Sequence, residues 1–226
     1  AASRACETVA ERFENWSMDL IFGAPPIAAW TATLQQAIAF APPHLSAYGL
    51  TYEAGTPFDA RRDDALDDDA ALALYQETET ALDAWNHYEI SNYARPGHEC
   101  RHNLRYWHNE DYAGFGAGAY GYINGVRARN RADLDDYLRA PGEKEEATQL
   151  TTREIRQETC IQHFRLREGL SKAYYRNRFS NAPEDDFAPA FQRLLERGLL
   201  EDTGSHLRPT PQGFYLNNEI GLELVD

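Results

Sequence analysis

The apolar positions fall into a β-loop-α-β order at the start of the chain. A helical pattern runs from Cys6 to Phe13 and passes straight into Trp16-Ser-Met-Asp-Leu-Ile-Phe22, a short apolar run closed by Gly23 and Pro25-Pro26 that predicts a strand. A helix is expected from Trp30 through Phe40 and a second strand from Leu45 to Tyr52, after Pro42-Pro43. Both strands are continuously apolar rather than alternating, which predicts burial on two faces, as in a parallel α/β sheet or barrel. Two strands do not close a barrel. Either later strands complete a small sheet, or the chain is the second part of a larger α/β protein, and the second option is favoured.

Asp63-Asp64 and Asp67-Asp68-Asp69 precede Leu72, Leu74 and Leu82, so these carboxylates are expected at the positive end of a helix ending near Trp85. His87-Tyr-Glu-Ile-Ser91 reads as a third strand, followed by a Pro/Gly loop and a histidine segment. Ala119-Tyr-Gly-Tyr-Ile, Asn124-Gly125 and Val126-Arg-Ala-Arg129 predict a hairpin. A short helix from Leu134 to Leu138 ends at Ala140-Pro-Gly, and the polar stretch Glu143 to Thr148 is the expected domain boundary.

From Thr151 the pattern turns helical. Thr151-Thr-Arg-Glu154 is a capping box opening a helix with Ile155, Thr159 and Gln162, and further helices are expected over Leu170 to Phe179 and Phe187 to Arg197. A turn at Thr203-Gly-Ser, the segment His206-Leu-Arg-Pro and a helix from Pro211 complete a winged-helix-like module. Such modules often bind DNA, which makes a nucleic-acid-binding module over residues 150 to 220 a rival reading. Phe187 to Arg197 carries only two arginines, however, and a packing role is favoured.

Charge supports that choice. With 22 Lys and Arg against 36 Asp and Glu, the net charge of −14 and pI near 4.9 oppose attraction to nucleic acid or anionic lipid. No run approaches the ~18 apolar residues of a membrane span and no signal peptide opens the chain, so a cytoplasmic protein is expected. At 226 residues it suits one large domain or two small ones. Cys6, Cys100 and Cys160 lack C-x-x-C spacing and predict no disulfide framework; Cys160 falls on an apolar helix face and is expected in the core.

The densest chemistry lies in Pro96-Gly-His-Glu-Cys-Arg-His-Asn-Leu-Arg-Tyr-Trp107, where His98, Cys100 and His102, with His108 behind, offer metal-capable ligands. Their spacing matches no standard zinc signature, and surface histidines beside a buried cysteine explain them equally well. Haem needs only one axial histidine and a flat apolar wall, so His102 with Tyr106 and Trp107 suits haem better than zinc; Tyr106 and Trp107 as plain core residues is the competing account. Gly116-Ala-Gly-Ala-Tyr-Gly121 satisfies G-x-G-x-x-G but runs into a hairpin rather than a helix, which argues against a dinucleotide loop and leaves room for close approach of an adenosine or a porphyrin. Asp19, polar within an apolar strand, and Thr51, expected at the corresponding end of the next strand, are candidates for binding the ribose or amino group of a small cofactor; local hydrogen bonding to loop backbone is the alternative.

Ser17-Met-Asp-Leu-Ile-Phe-Gly-Ala-Pro25, Leu45-Ser-Ala-Tyr-Gly-Leu-Thr51 with Glu53-Ala-Gly-Thr-Pro57, His87-Tyr-Glu-Ile-Ser-Asn-Tyr-Ala-Arg-Pro96, His102-Asn-Leu-Arg-Tyr-Trp107 and Tyr112-Ala-Gly-Phe-Gly-Ala-Gly-Ala119 occur in one order. Together they resemble the oxygen-independent coproporphyrinogen III oxidase-like radical SAM family, in particular its haem chaperone branch. The resemblance implies an α/β fold: the second part of a radical SAM partial (β/α)6 barrel plus a mainly helical, winged-helix-like C-terminal domain. It places the last barrel strands in residues 1–60, a connecting region with the haem motif in 61–148 and the C-terminal domain in 149–226.

The H-N-x-x-Y-W element, here His102, Asn103, Tyr106 and Trp107, resembles the branch's haem motif, which implies haem binding with His102 as the iron ligand. Asp19, Thr51 and Tyr120 match positions that contact S-adenosylmethionine in the family. The family's C-x-x-x-C-x-x-C loop for a [4Fe–4S] cluster, its glycine-rich S-adenosylmethionine motif and its first four strands have no counterpart here, so this chain is not expected to perform radical chemistry as it stands. Gly23-Ala-Pro-Pro also departs from the family's G-L-P-x-Q-T. The expected activity of the parent is haem binding and delivery to acceptor proteins, any membrane association coming through those partners. Radical decarboxylation in porphyrin biosynthesis is the enzymatic alternative.

Overall fold

The computed structural model describes residues 2–25 and 29–225, so Pro26 of the Gly23-Ala-Pro-Pro loop lies outside the described residues. The chain divides into two compact units, Ala1–Cys100 and Arg101–Asp226.

In the first unit, helix α1 (Ala2–Ala10) begins and ends earlier than the expected Cys6 to Phe13 and buries none of its described residues. Strands β1 (Ser17–Phe22) and β2 (His44–Gly49) run parallel in continuous register from Ser17 opposite His44 to Phe22 opposite Gly49. Parallel pairing requires a crossover, supplied by α2 (Trp30–Ala39), whose Trp30, Leu34 and Ala37 share a core with Phe22, Leu45 and Ala47. Strand β2 stops at Gly49, short of the expected Tyr52. Two-sided burial holds for its first four residues but not for β1, where exposed Ser17, Asp19 and Ile21 alternate with more buried Met18, Leu20 and Phe22. The reason is position: β1 is a margin of the sheet, and its Met18, Leu20 and Phe22 are the side chains that enter the core.

Helix α3 (Asp68–Ala81) is capped by Asp67, whose carboxylate accepts from the Ala70 amide at 2.8 Å. Asp63 and Asp64 are not at its start; extended Ala65 separates them into a 3-10 helix, Asp59–Asp64, where Arg61 pairs with Asp64 and Arg62 with Asp59. The segment expected as one strand from His87 is a tight hairpin of β3 (Asn86–Glu89) and β4 (Asn92–Ala94). The hairpin extends the parallel pair into a four-stranded sheet in the order β1-β2-β4-β3, with β4 antiparallel to β2. A register shift between His87 and Glu89 leaves Tyr88 as the extra residue of a bulge.

The second unit opens with α4 (Arg101–Trp107), so the latter part of the expected histidine loop is helical. Strands β5 (Tyr120–Ile123) and β6 (Val126–Asn130) form the expected hairpin; Asn124 (φ 52°) and Gly125 (φ 78°) occupy the left-handed region that a two-residue turn requires. After α5 (Leu134–Arg139), the polar stretch expected as a boundary is strand β7 (Lys144–Gln149), exposed along its length and paired to β6. Helix α6 (Thr152–His163) carries the expected capping box, with Thr151 and Glu154 bonded reciprocally.

Strand β8 (Leu170–Ser171) takes the first residues of the helix expected from Leu170, leaving α7 (Lys172–Phe179). Helix α8 (Pro183–Glu196) starts earlier than expected because Pro183 suits the first turn. Strands β9 (Leu200–Asp202) and β10 (His206–Pro209) join β8 in the order β8-β10-β9, and α9 (Pro211–Tyr215) and α10 (Asn217–Val225) close the unit. Fully buried Cys160, Phe164, Leu170, Tyr175 and Leu194 centre its core, and burial pushes the Cys160 thiol well up. Arg193 and Arg197, the two arginines of the helix weighed for DNA reading, pair with Glu223 and Glu219 of α10, in keeping with a packing role. No helix among the described residues is long and apolar enough to cross a membrane.

Gly213 donates its amide to the Thr210 hydroxyl at 3.0 Å, and a Cβ there would run into the Leu199 carbonyl. Gly213→Ala is therefore expected to lower the unfolding free energy by roughly 2–3 kcal/mol, read from urea denaturation; an unchanged midpoint would refute this packing of α9. Burial pushes the His163 imidazole down from 6.5 to about 4. Below pH 6.5 the unfolded chain gains a proton that the folded chain refuses, so His163's contribution is complete above pH 6.5 and is lost as pH falls towards about 4. The expected slope is up to ~1.4 kcal/mol per pH unit, and His163→Leu flattens it in a pH series of denaturation curves.

Candidate functional site

Helix α4 places His102 and Tyr106 one turn apart on one face. The Tyr106 hydroxyl and His102 Nε2 are hydrogen-bonded at 3.0 Å, and the rings meet edge to face at 4.9 Å. Behind Tyr106 stands Tyr112, edge to face at 4.5 Å, and then Tyr122 at 6.4 Å. Tyr112 is fixed by two backbone bonds, its amide to the Tyr122 carbonyl at 2.7 Å and the reverse at 2.8 Å. Burial pushes both phenols up. His102 itself is exposed, Asn103 is half-buried, and Arg105, three residues on from His102, is paired with Glu110 at 3.1 Å.

Trp107 does not join this face. At ~100° per residue it lies about 140° round the helix from His102. Its ring sits beneath the Arg165 guanidinium at 4.5 Å, and its indole nitrogen is buried without a hydrogen-bond partner among the described residues. His108, beyond the helix, faces His163 at 5.4 Å and Glu168 at 3.7 Å. In the first unit, His98 meets Asn15 at 3.2 Å and the Cys100 amide donates to the Tyr88 hydroxyl at 3.2 Å. The three cysteines are free, and no group of three or more His, Cys, Asp or Glu among the described residues could hold a metal ion.

The glycine run leads into β5 rather than a helix. Asn130 holds it by donating to the carbonyls of Gly114 (3.1 Å) and Gly116 (2.8 Å), and a Cβ on Gly114 would collide with the Tyr120 carbonyl. A cleft of about 310 Å³ lies here, lined by Ala113, Gly114, Gly121, Ile123, Val126 and Lys144 among others. Tyr120 is 47% exposed; its hydroxyl donates to Glu146 at 2.9 Å, which pushes the phenol up, and Arg129 covers its ring at 5.6 Å.

Asp19 and Thr51 are not matched strand ends. Asp19 is exposed in the middle of β1 opposite Ser46, whereas Thr51 lies beyond the end of β2 at Gly49. The register makes Asp19, Ser46, Asn92 and Glu89 one row across the sheet, in which the Asn92 amide donates to the buried Glu89 carboxylate. Beside the row, His44 bonds Ser17 through Nδ1 (2.8 Å) and Tyr88 through Nε2 (2.9 Å). Burial pushes the His44 imidazole down, with Asp19 and Glu99 opposing, and pushes the Tyr88 phenol up.

A family profile described as the HemN C-terminal domain matches residues 150–216. The chain is 32% identical over 220 residues to the haem chaperone HemW of Bacillus subtilis, covering 92% of this chain and 58% of that protein. It is 34% identical over 234 residues to HemW of Mycobacterium tuberculosis, covering 97% and 57%. By sequence the chain is HemW-like along more than nine tenths of its length and HemN-like over residues 150–216.

It spans just under three fifths of the length of these relatives. The solved structure of coproporphyrinogen III oxidase (HemN) from Escherichia coli, a radical SAM enzyme, superposes with a TM-score of 0.80 at 20% identity, covering 99% of this chain and 58% of that one. The fold of this HemW/HemN-like chain accordingly resembles the matching part of that structure, the second part of a partial (β/α) barrel followed by a mixed α/β C-terminal domain.

Sequence reasoning overlooked the polar face of the first sheet, made by Ser17, His44, Ser46, Tyr88, Glu89 and Asn92. A signal was present: His44 and Ser46 alternate with apolar Leu45 and Ala47, the period-two mark of a polar face. Tyr88→Phe would leave a buried His44 nitrogen and the Cys100 amide without their shared partner, an expected loss of about 1–3 kcal/mol by chemical denaturation; an unaltered midpoint would show that this chain of bonds carries no stability.

Proposed function

We propose that this chain acts in haem trafficking, presenting His102 on helix α4 as an axial ligand for haem that is then delivered to acceptor proteins. The exposed His102 imidazole, backed by Tyr106 and Tyr112, is the observation that carries the reading. The donor set fits: one imidazole can hold a porphyrin iron without further protein ligands. Tyr106 offers a ring edge beside the bound group, and Arg105, on the same helix face, supplies a cation for a propionate. Asn103 and Trp107 complete the motif, Trp107 by packing the helix from its opposite side.

Asp19, Thr51 and Tyr120 are proposed contacts for S-adenosylmethionine in the complete protein, Asp19 as an acceptor for hydroxyl or amino groups. The cysteines of this chain do not fit a [4Fe–4S] cluster, since Cys160 is buried in a helical core and neither Cys6 nor Cys100 has a neighbour at cluster spacing. Haem delivery thus rests on the chain's own residues, and radical chemistry does not.

A haemin titration followed by absorbance tests the assignment. The expected result is a saturable Soret shift that His102→Ala abolishes; no shift, or one that survives the substitution, overturns it.

A further inference from the structure

We propose that the Tyr106 hydroxyl is a displaceable latch on Nε2 of His102, which keeps uptake at this histidine reversible. The inference rests on the reading of His102 as a haem ligand. The two imidazole nitrogens are not equivalent for this task. Nδ1 adjoins the carbon that carries Cβ, so a wide planar macrocycle centred on it would overlap the side chain and the helix that bears it. Nε2 projects away from the helix and is the nitrogen that can meet an iron at the centre of a porphyrin.

That nitrogen is engaged, by the Tyr106 hydroxyl at 3.0 Å. Whichever of the two groups donates, the bond occupies the Nε2 position a metal would take. Tyr106 is the stiffer member of the pair, half-buried and held from behind by Tyr112, which is itself fixed by its two backbone bonds to Tyr122. His102 is exposed, so the latch opens by rotation of His102 and closes again when the ligand leaves. A protein that passes its cargo on gains from such competition, because the side chain that competes during uptake also reclaims the ligand nitrogen during release.

Tyr106→Phe keeps the ring and its contact with Tyr112 while removing the hydroxyl. A typical net hydrogen bond predicts haemin affinity roughly two- to tenfold tighter, with the Soret maximum unmoved. Haemin transfer to apomyoglobin should slow by a similar factor. In the ligand-free protein, carbethoxylation of His102 by diethyl pyrocarbonate, read by peptide mass spectrometry, should accelerate in the variant. Unchanged or weaker haemin affinity in Tyr106→Phe, or an unchanged modification rate, overturns the latch. The His102→Ala titration separates the two ideas: haemin binding that ignores His102 removes the ligand reading, whereas binding that needs His102 but ignores the Tyr106 hydroxyl removes the latch alone.

Discussion

Tyr112 and Tyr122 exchange two backbone hydrogen bonds, and the surroundings of His102 follow from that exchange. It draws the segment after α4 alongside β5 so closely that neither Gly114 nor Gly121 has room for a side chain without displacing backbone. With both glycines in place, the buried Asn130 amide can span the carbonyls of Gly114 and Gly116, and the Gly116 amide reaches the Tyr137 hydroxyl at 3.1 Å. Tyr112 is thereby immobilised, and through it the ring of Tyr106. The glycines that resemble a nucleotide loop in the sequence serve, in the fold, to bring aromatic rings up to one exposed histidine.

The first unit solves a different problem, that of burying polar groups. His44, Ser46, Glu89 and Asn92 are all below 6% exposure, which is costly unless each finds a partner. The bulge at Tyr88 provides one, turning an additional side chain towards His44 and setting its hydroxyl where the Cys100 amide also reaches it. One irregularity in β3 thus ties the sheet face to the segment leading away from it. Such a chain of bonds is cooperative, each member holding the next in the orientation it needs.

What could be read from the sequence was local. The Asn124-Gly125 turn and the Thr151/Glu154 capping box were legible because their chemistry acts within a few residues, and the crossover from β1 to β2 because strand, helix and strand lengths left little choice. Strand β7 was not, since Lys144 to Gln149 is exposed throughout and carries no apolar period. The β3–β4 turn was hidden because Ile90-Ser91 lacks glycine or proline. The direction of Trp107 depended on the histidine segment being helical, and its placement under Arg165 is a tertiary fact. His102 and Tyr106 were legible as residue types, but their hydrogen bond required the helix to be known.

The two margins of the first sheet are unequal. Strand β3 is short and interrupted by its bulge, a form that resists further pairing. Strand β1 is longer, unbroken in register, and turns Asp19 and Ile21 outward. The sheet therefore has a polarity of growth: an incoming strand would find a continuous ladder along β1 and an irregular one along β3. A neighbouring strand there would extend the same parallel pairing.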